Sequence, residues 1–280
     1  MQLPWRVLSC LATIFCVGMA HGQAAPGDLP LLRQGNFSRL EAETVSLQQR
    51  FATGQVTEFG LRQFYRSFYD LTEQDLARLD EWQAAYPRSY AVRLVRGTYY
   101  KLAAFKARGG NFAANTPPES FAEMERLLAR ARPDLEASLS LTEKPLLSVF
   151  HLLDMTDGNR AVRKALMDSG TRMLPSNRLI RGRYMFGLTP RWGGSYEEMK
   201  AFLAYAKRTG ASKVGLMEME ALMYDDMAEV ALHQGDQESA VVNFRKALEL
   251  NAKVGPDGFG EPPFSKRYKC RLPALREYCR

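Results

Sequence analysis

Apolar residues recur at steps of three and four along most of this chain, and this spacing constrains the fold more than any other feature. Such spacing places side chains on one face of an α-helix. We find no sustained alternation of Val, Ile and Thr, which is the pattern of a half-buried strand, and no hairpin turn between two such runs. The sequence therefore predicts an all-α fold. The apolar sets are Leu61, Phe64, Tyr65, Phe68 and Tyr69; Val92, Val95, Tyr99 and Leu102; Phe121, Met124, Leu127, Leu128, Ala131 and Leu135; and Met199, Phe202, Leu203 and Ala206.

Glycine and proline divide the helical pattern into segments mostly of about ten to twenty residues, the usual length of a helix. Antiparallel helices with short connections stack side by side, because no single pair can bury its apolar face alone. We therefore expect stacked antiparallel helix hairpins, forming either an α-solenoid or a compact helical array. The predicted breaks are Gly54, Tyr86-Pro87, Gly109-Gly110, residues 116–118, Asp157-Gly158, Gly170, residues 190–195, Gly210 and Gly235.

The first 22 residues are typical of an export signal. Arg6 is the only charged residue before Asp28, and the apolar run over residues 7–20 has the length of a signal-peptide core. Ala20 and Gly22 supply small residues at the −3 and −1 positions, so we predict cleavage before Gln23 and a periplasmic or secreted protein. An uncleaved membrane anchor is the alternative. After the signal we expect a flexible segment over residues 23–35, a helical repeat domain over residues 36–254 and a basic tail over residues 255–280.

Removal of the signal leaves two cysteines, Cys270 and Cys279. An isolated pair in an oxidising compartment is most simply a disulfide. The eight intervening residues do not match a C-x-x-C dithiol, and no histidine pair lies nearby to complete a zinc site. We therefore predict a structural crosslink. The N-terminal sequence and intact mass of the purified protein are the measurements that test the cleavage and the crosslink.

The end of the chain is basic. The whole chain carries a net charge of +7, and residues 253–280 hold seven basic residues against three acidic ones. We interpret this as a solvated tail that aids solubility. The alternative is a weak contact with anionic lipid headgroups or with an acidic protein. Nucleic acid is not an expected partner, because the exported chain has no recognisable nucleic-acid-binding module.

Residues 219–252 resemble one tetratricopeptide repeat. Gly235 lies at the turn, and the small residues on both sides of it would let two helices approach closely. The proline that usually ends such a repeat is replaced by Ala252, so the match is incomplete. The resemblance implies a tetratricopeptide-like arrangement of the helices. The matching helical residues are Tyr224 and Ala228 before the turn, and Ala240, Phe244 and Ala247 after it.

More of the chain, roughly residues 36 to 210, resembles a bacterial family known only as domain of unknown function 4034. The most distinctive phrase is Pro190-Arg191-Trp192-Gly193-Gly194-Ser195. Two weaker matches are Trp82 with Pro87, Ser89 and Ala91, and the segment Ala104-Phe105-Lys106-Ala107-Arg108-Gly109. Phe105 stands where tryptophan is common in the family. The resemblance implies a helical architecture and a bacterial origin, and it brings no established activity or catalytic residues.

Three residues are candidates for binding a partner. Arg191 and Trp192 could form a peptide- or lipid-binding patch through stacking and cation–π contact. The other interpretation is that Trp192 packs the loop under a helix start, where Ser195 and Glu198 form a capping box. Arg108, followed by two glycines, could cradle an anion, but arginine before glycine is also the ordinary way to end a helix.

No catalytic constellation appears. His151 and His233 lack the spacing of metal ligands, and no nucleotide-binding or hydrolase motif is present, so no metal site and no cofactor is predicted. We interpret the acidic pairs Asp225-Asp226 and Glu218-x-Glu220 as solvated helix edges, because residues one or two apart on a helix point in different directions. We therefore expect an interaction scaffold of the bacterial envelope with a protein or peptide partner. The alternatives are a hydrolase-like enzyme with an unrecognised site, or a peripheral membrane protein that uses the tail.

Overall fold

The computed structural model describes residues 29–109, 116–156 and 158–254. Within these ranges the regular structure is helical and no strand occurs, which confirms the predicted all-α class. The α-helices in chain order are α1 (Leu29–Arg33), α2 (Phe37–Ala52), α3 (Glu58–Arg66), α4 (Leu76–Ala85), α5 (Tyr90–Arg108), α6 (Pro118–Ser138), α7 (Leu146–Leu152), α8 (Arg160–Met173), α9 (Leu179–Phe186), α10 (Tyr196–Arg208), α11 (Lys213–His233) and α12 (Gln237–Val254). Short 3-10 turns include Leu153–Met155 and Pro190–Trp192.

The helices form an array around one main hydrophobic core. Helices α1 to α10 and the first half of α11 contribute to this core. Helix α12 packs mainly on α11, through a small second cluster of Ala228, Ala231, Ala240 and Phe244. The α5–α6 and α11–α12 pairs have the most extensive helix contacts. The described residues therefore form a compact helical array, in which α12 packs against α11.

The α5–α6 hairpin is held by a small residue and a buried carboxylate. A Cβ atom on Gly97 would lie only 2.7 Å from Cγ of Leu135, so glycine at this position allows the two helices to approach closely. Asp134 of α6 is buried and accepts hydrogen bonds from Arg93 at 2.8 Å and from Nε of Arg96 at 2.6 Å. Because both arginines belong to α5, this carboxylate joins the two helices.

Two helix ends are capped by side chains that are distant in sequence. The buried Glu58 carboxylate accepts the backbone N–H groups of Arg178 at 2.7 Å and Leu179 at 3.1 Å, at the start of α9. Burial raises the pKa of Glu58 to about 7, although these N–H groups and the Arg178 charge oppose the rise. Arg181 is fully buried and donates to the carbonyls of Pro175 and Thr209, the latter just beyond α10. These caps connect α3, α9 and α10.

The predicted helix breaks are confirmed at most positions. Gly54, Gly109, Gly210 and Gly235 each follow a helix and have positive φ angles between 78° and 90°, a conformation that glycine adopts without strain. The break predicted at Gly170 is wrong. This residue lies inside α8, where an added Cβ would come within 2.4 Å of Cδ1 of Ile180, so the glycine serves close packing.

The flexible segment predicted over residues 23–35 is wrong for its second half. Residues Leu29–Arg33 form α1, whose Leu31 and Leu32 are buried in the core. Arg33 also makes an ion pair with Asp75, with Nε 2.9 Å from Oδ1. The predicted signal peptide, residues 23–28, the basic tail and the Cys270–Cys279 crosslink lie outside the described residues.

The segment that resembles a tetratricopeptide unit lies within the α11–α12 hairpin. Ala228, Ala240, Phe244 and Ala247 are buried, and Gly235 lies at the turn with φ of 81°. The small residues therefore have the predicted packing role. Assignment of the hairpin to the tetratricopeptide family stays a prediction.

Replacing Asp134 with alanine should lower the free energy of unfolding by about 3 kcal/mol, because Arg93 and Arg96 would lose a buried counter-charge. Urea unfolding measures this change. The matched control is Glu123→Ala on the same helix, whose exposed pair with Arg126 should contribute little. Equal losses in the two variants would contradict the role given to Asp134.

Candidate functional site

The phrase Pro190 to Ser195 forms a tight connection between α9 and α10. Pro190–Trp192 is one turn of 3-10 helix, followed by Gly193 in the left-handed conformation with φ of 80°. An added Cβ on Gly194 would lie 2.1 Å from the carbonyl oxygen of Leu188, so only glycine fits there. Gly193 is therefore required for a left-handed backbone conformation, and Gly194 for the close approach to Leu188.

The predicted start of α10 is confirmed in part. Oγ of Ser195 accepts the backbone N–H of Glu198 at 3.1 Å, as a cap requires. The Glu198 carboxylate forms an ion pair with Arg160 of α8 at 2.6 Å, and Arg160 also donates to the carbonyl of Gly193. The loop is therefore tied to α8 through Arg160, a contact that the capping-box prediction did not include.

Arg191 ties the same loop to α11. Its Nε lies 2.9 Å from Oδ1 of Asp226, and a second guanidinium nitrogen lies 2.7 Å from the same oxygen. The hydroxyl of Tyr196 donates to Oδ2 of Asp226 at 3.1 Å. Burial and the neighbouring Asp226 charge raise the pKa of Tyr196 above its ordinary value, so this hydroxyl stays a donor at neutral pH. Arg191 therefore positions the loop, because its guanidinium is already engaged within the chain.

An acidic pocket opens between this loop and α11. Its α11 wall consists of residues three and four apart, which share one face of the helix. The lining residues carry three carboxyl groups and one guanidinium group. They are Phe186, Thr189, Arg191, Leu222, Asp225, Asp226 and Glu229.

Glu229 is the least compensated of these groups. The residue is only 7% exposed, and its buried Oε1 accepts no hydrogen bond from the residues that the structure describes. Burial raises the pKa of Glu229 and the neighbouring Asp225 raises it further, whereas Arg191 and His233 oppose the rise. An acceptor buried without a donor costs free energy. A hydrogen-bond donor or a cation placed at Oε1 of Glu229 would therefore be stabilised in this pocket.

Trp192 is 53% exposed and is not itself a lining residue of this pocket. Its ring centroid is 6.1 Å from that of Phe186, which lines the pocket. The interpretation that Trp192 packs the loop under a helix start therefore holds only in part, because its ring contacts Phe186 of α9 while about half of the residue faces solvent. The exposed part presents an aromatic surface next to one wall of the acidic pocket.

Arg108, the third candidate, ends α5 at a different place. It donates to the carbonyl of Gly109 at 3.1 Å, and its guanidinium lies 5.7 Å from the ring centroid of Phe121 on α6. Gly109 has φ of 78°, as expected after a helix. These contacts match the helix-end interpretation, and they involve none of the residues that line the acidic pocket.

The interpretation of the two acidic pairs as solvated helix edges is wrong for three of their four residues, whereas Glu220 is partly exposed. Asp225 and Asp226 are both buried, and Glu218 is buried as the partner of Arg178, with Oε2 2.7 Å from Nε. The spacing of Leu222, Asp225, Asp226 and Glu229 is that of a buried helix face, and this signal could have indicated the pocket. The ion pair between Arg191 of the loop and Asp226 could not be predicted from that spacing.

A second polar cluster joins α5, α7 and α9. Nζ of Lys101 lies 3.2 Å from Nδ1 of His151 and forms an ion pair with Asp154, which also pairs with Arg183 at 3.3 Å. Since a lysine ammonium only donates, Nδ1 accepts, and Nε2 of His151 faces the Tyr69 hydroxyl at 3.4 Å.

Burial lowers the pKa of Lys101 and holds the pKa of His151 well below its ordinary value; neighbouring cations contribute to both shifts. These residue types can serve an enzyme, and sequence reasoning missed their association. However, Lys101 and His151 are only 4% and 3% exposed, so neither group is presented to a substrate at the surface. The cluster joins three helices.

Within the described ranges, no three His, Cys, Asp or Glu side chains are grouped so that they could hold a metal ion. No helix in the same ranges combines the length and the apolar character needed to cross a membrane.

Comparison with profiles of known protein families, with curated proteins and with solved structures found no match to this chain.

Replacing Glu229 with glutamine should stabilise the protein near pH 8 by on the order of 1 kcal/mol, because a buried uncompensated charge becomes a neutral amide. A raised carboxyl pKa means that the wild type loses stability as pH rises through the ordinary glutamate value toward the raised value. The advantage of the variant should therefore shrink toward about pH 4.

Urea unfolding across this pH range measures the difference, with Glu220→Gln on the same helix as the charge-matched control. A constant difference across the range, or an equal effect of the control, would show that Glu229 is not the uncompensated group.

Proposed function

We propose that this chain is an exported, helical scaffold of the bacterial envelope that binds a partner protein on the face formed by Pro190–Trp192 and α11. The observation that carries the proposal is Trp192, which is exposed and lies next to Phe186 in the lining of a pocket where Oε1 of the buried Glu229 accepts no hydrogen bond from the described residues. Aromatic side chains of this kind are enriched among the residues that dominate binding energy at protein interfaces. We also propose that the export signal is cleaved and that the chain belongs to the domain-of-unknown-function 4034 family.

The rigidity of this face supports a binding role. Three separate contacts hold the loop: Arg160 to Gly193, Arg191 to Asp226, and Ser195 to the start of α10. A preorganised loop loses little conformational entropy when a partner binds, so more of the contact energy appears as affinity. The two glycines permit this loop conformation, and the three contacts hold it and thereby fix the place of Trp192.

The arrangement of α11 and α12 also supports an interaction protein. Repeat-like helix pairs present extended surfaces to partners, and α11 supplies the acidic wall of the pocket on one face while it contacts α12 on another. In this proposal the α11–α12 hairpin is a tetratricopeptide-like unit that closes the array and supports the binding face.

A photo-crosslinking amino acid placed at position 192 tests the proposal in cells that make the protein. We expect a discrete crosslinked product, containing the same partner in repeated experiments, because this side chain would lie in the interface. Mass spectrometry identifies the partner and the crosslinked residue.

The matched control places the same amino acid at Val45 of α2, which is also exposed but belongs to a different part of the array. A partner crosslinked equally at both positions, or no product at position 192, would contradict a specific interface at this face.

A further inference from the structure

We propose that the acidic pocket binds the cationic head of an arginine or lysine side chain from the partner protein, with Glu229 as its principal counter-ion. This inference rests on the proposed function, because it names the chemistry of the partner at the same face. The shared site is the pocket between Pro190–Trp192 and α11.

The first argument for a cationic occupant is the excess of acidic groups in the pocket lining. The pocket lining contains Asp225, Asp226 and Glu229 against one arginine, and Arg191 already pairs with Asp226. A cation that enters the pocket would meet the Glu229 carboxylate, which has no hydrogen-bond partner at Oε1 among the described residues. A charge-assisted hydrogen bond there is stronger than a neutral one.

The second argument for a cationic occupant is the pair of aromatic residues Trp192 and Phe186. Trp192 is exposed and adjacent to Phe186, so its ring adds an aromatic surface next to one wall of the pocket. Guanidinium and ammonium groups are attracted to aromatic faces, tryptophan most strongly. The apolar stem of arginine or lysine can contact Leu222 and Phe186, while the head reaches Glu229.

The acidic residues themselves favour a side chain over a metal ion. Asp225, Asp226 and Glu229 lie on one helix face, and they do not form a group that could hold a metal ion. Phe186 of the lining also packs against the exposed Trp192, so a side chain bound in the pocket would lie close to that tryptophan.

Calorimetric titration of the full chain with two short peptides tests the inference. One peptide carries a single central arginine, and the other carries citrulline, which has nearly the same shape without the charge. We expect the arginine peptide to bind about tenfold more tightly, because only it supplies a counter-charge. Glu229→Gln should remove this preference, whereas Glu220→Gln should keep it.

Equal affinity for the two peptides, no binding at millimolar peptide, or an unchanged preference in Glu229→Gln would overturn the inference.

The same titration with Lys266, Arg267, Lys269 and Arg271 changed to glutamine examines the chain's own tail as the occupant. Binding seen only in that variant would assign the pocket to the tail and overturn a partner side chain. Self-association that Glu229→Gln abolishes would assign it to a second copy, with the same consequence.

The two proposals fail differently. If position 192 crosslinks a partner but the peptides show no charge preference, the scaffold stands and the cationic side chain is wrong. If the arginine peptide binds through Glu229 but no partner crosslinks at position 192, the pocket binds a cation and the protein-interaction function is wrong.

Discussion

Buried carboxylates paired with arginines from other segments hold this helical array together. Asp134 joins α6 to α5 through two arginines, Glu218 joins α11 to Arg178 before α9, and Asp226 joins α11 to the loop that carries Arg191. Each carboxylate lies below the surface, so it depends on its arginine partner: loss of that partner would leave a charge in a medium that solvates it poorly. Such pairs specify which helices meet, since hydrophobic stripes alone permit several arrangements.

Glu229 departs from this pattern. It is buried, it lies one helical turn from Asp226, and its Oε1 accepts no hydrogen bond from the described residues, although the charges of Arg191 and His233 act on it from a distance. Proteins seldom bury a carboxylate without compensation unless the group has a further role. The neighbouring loop has two glycines and three tethering contacts, and it places an exposed tryptophan next to Phe186, which lines the same pocket as this carboxylate. Both features are explained if the pocket receives a cationic group from outside the chain.

Much of the fold could be predicted from the sequence, because helical periodicity and glycine or proline breaks act locally. The helix break predicted at Gly170 is wrong because that glycine is needed for close packing against Ile180 on another helix. Periodicity carries no information on such distant neighbours. The same limit applies to the site. Residues 190–195 could be recognised as a distinctive turn, and Arg191 and Trp192 as candidates, but the pairing with Asp226 joins residues 35 positions apart. The cap that Glu58 provides for α9 spans a still longer separation.

The most direct test of the account is the pKa of Glu229, measured by NMR on protein with ¹³C-labelled glutamate carboxyl groups and assigned with Glu229→Gln. The account requires a value above the ordinary glutamate pKa of about 4.3 in the free protein. It also requires a lower value when the arginine peptide saturates the pocket, because a bound cation favours the ionised carboxylate. An ordinary pKa in the free protein, or a raised pKa that the peptide leaves unchanged, would contradict it.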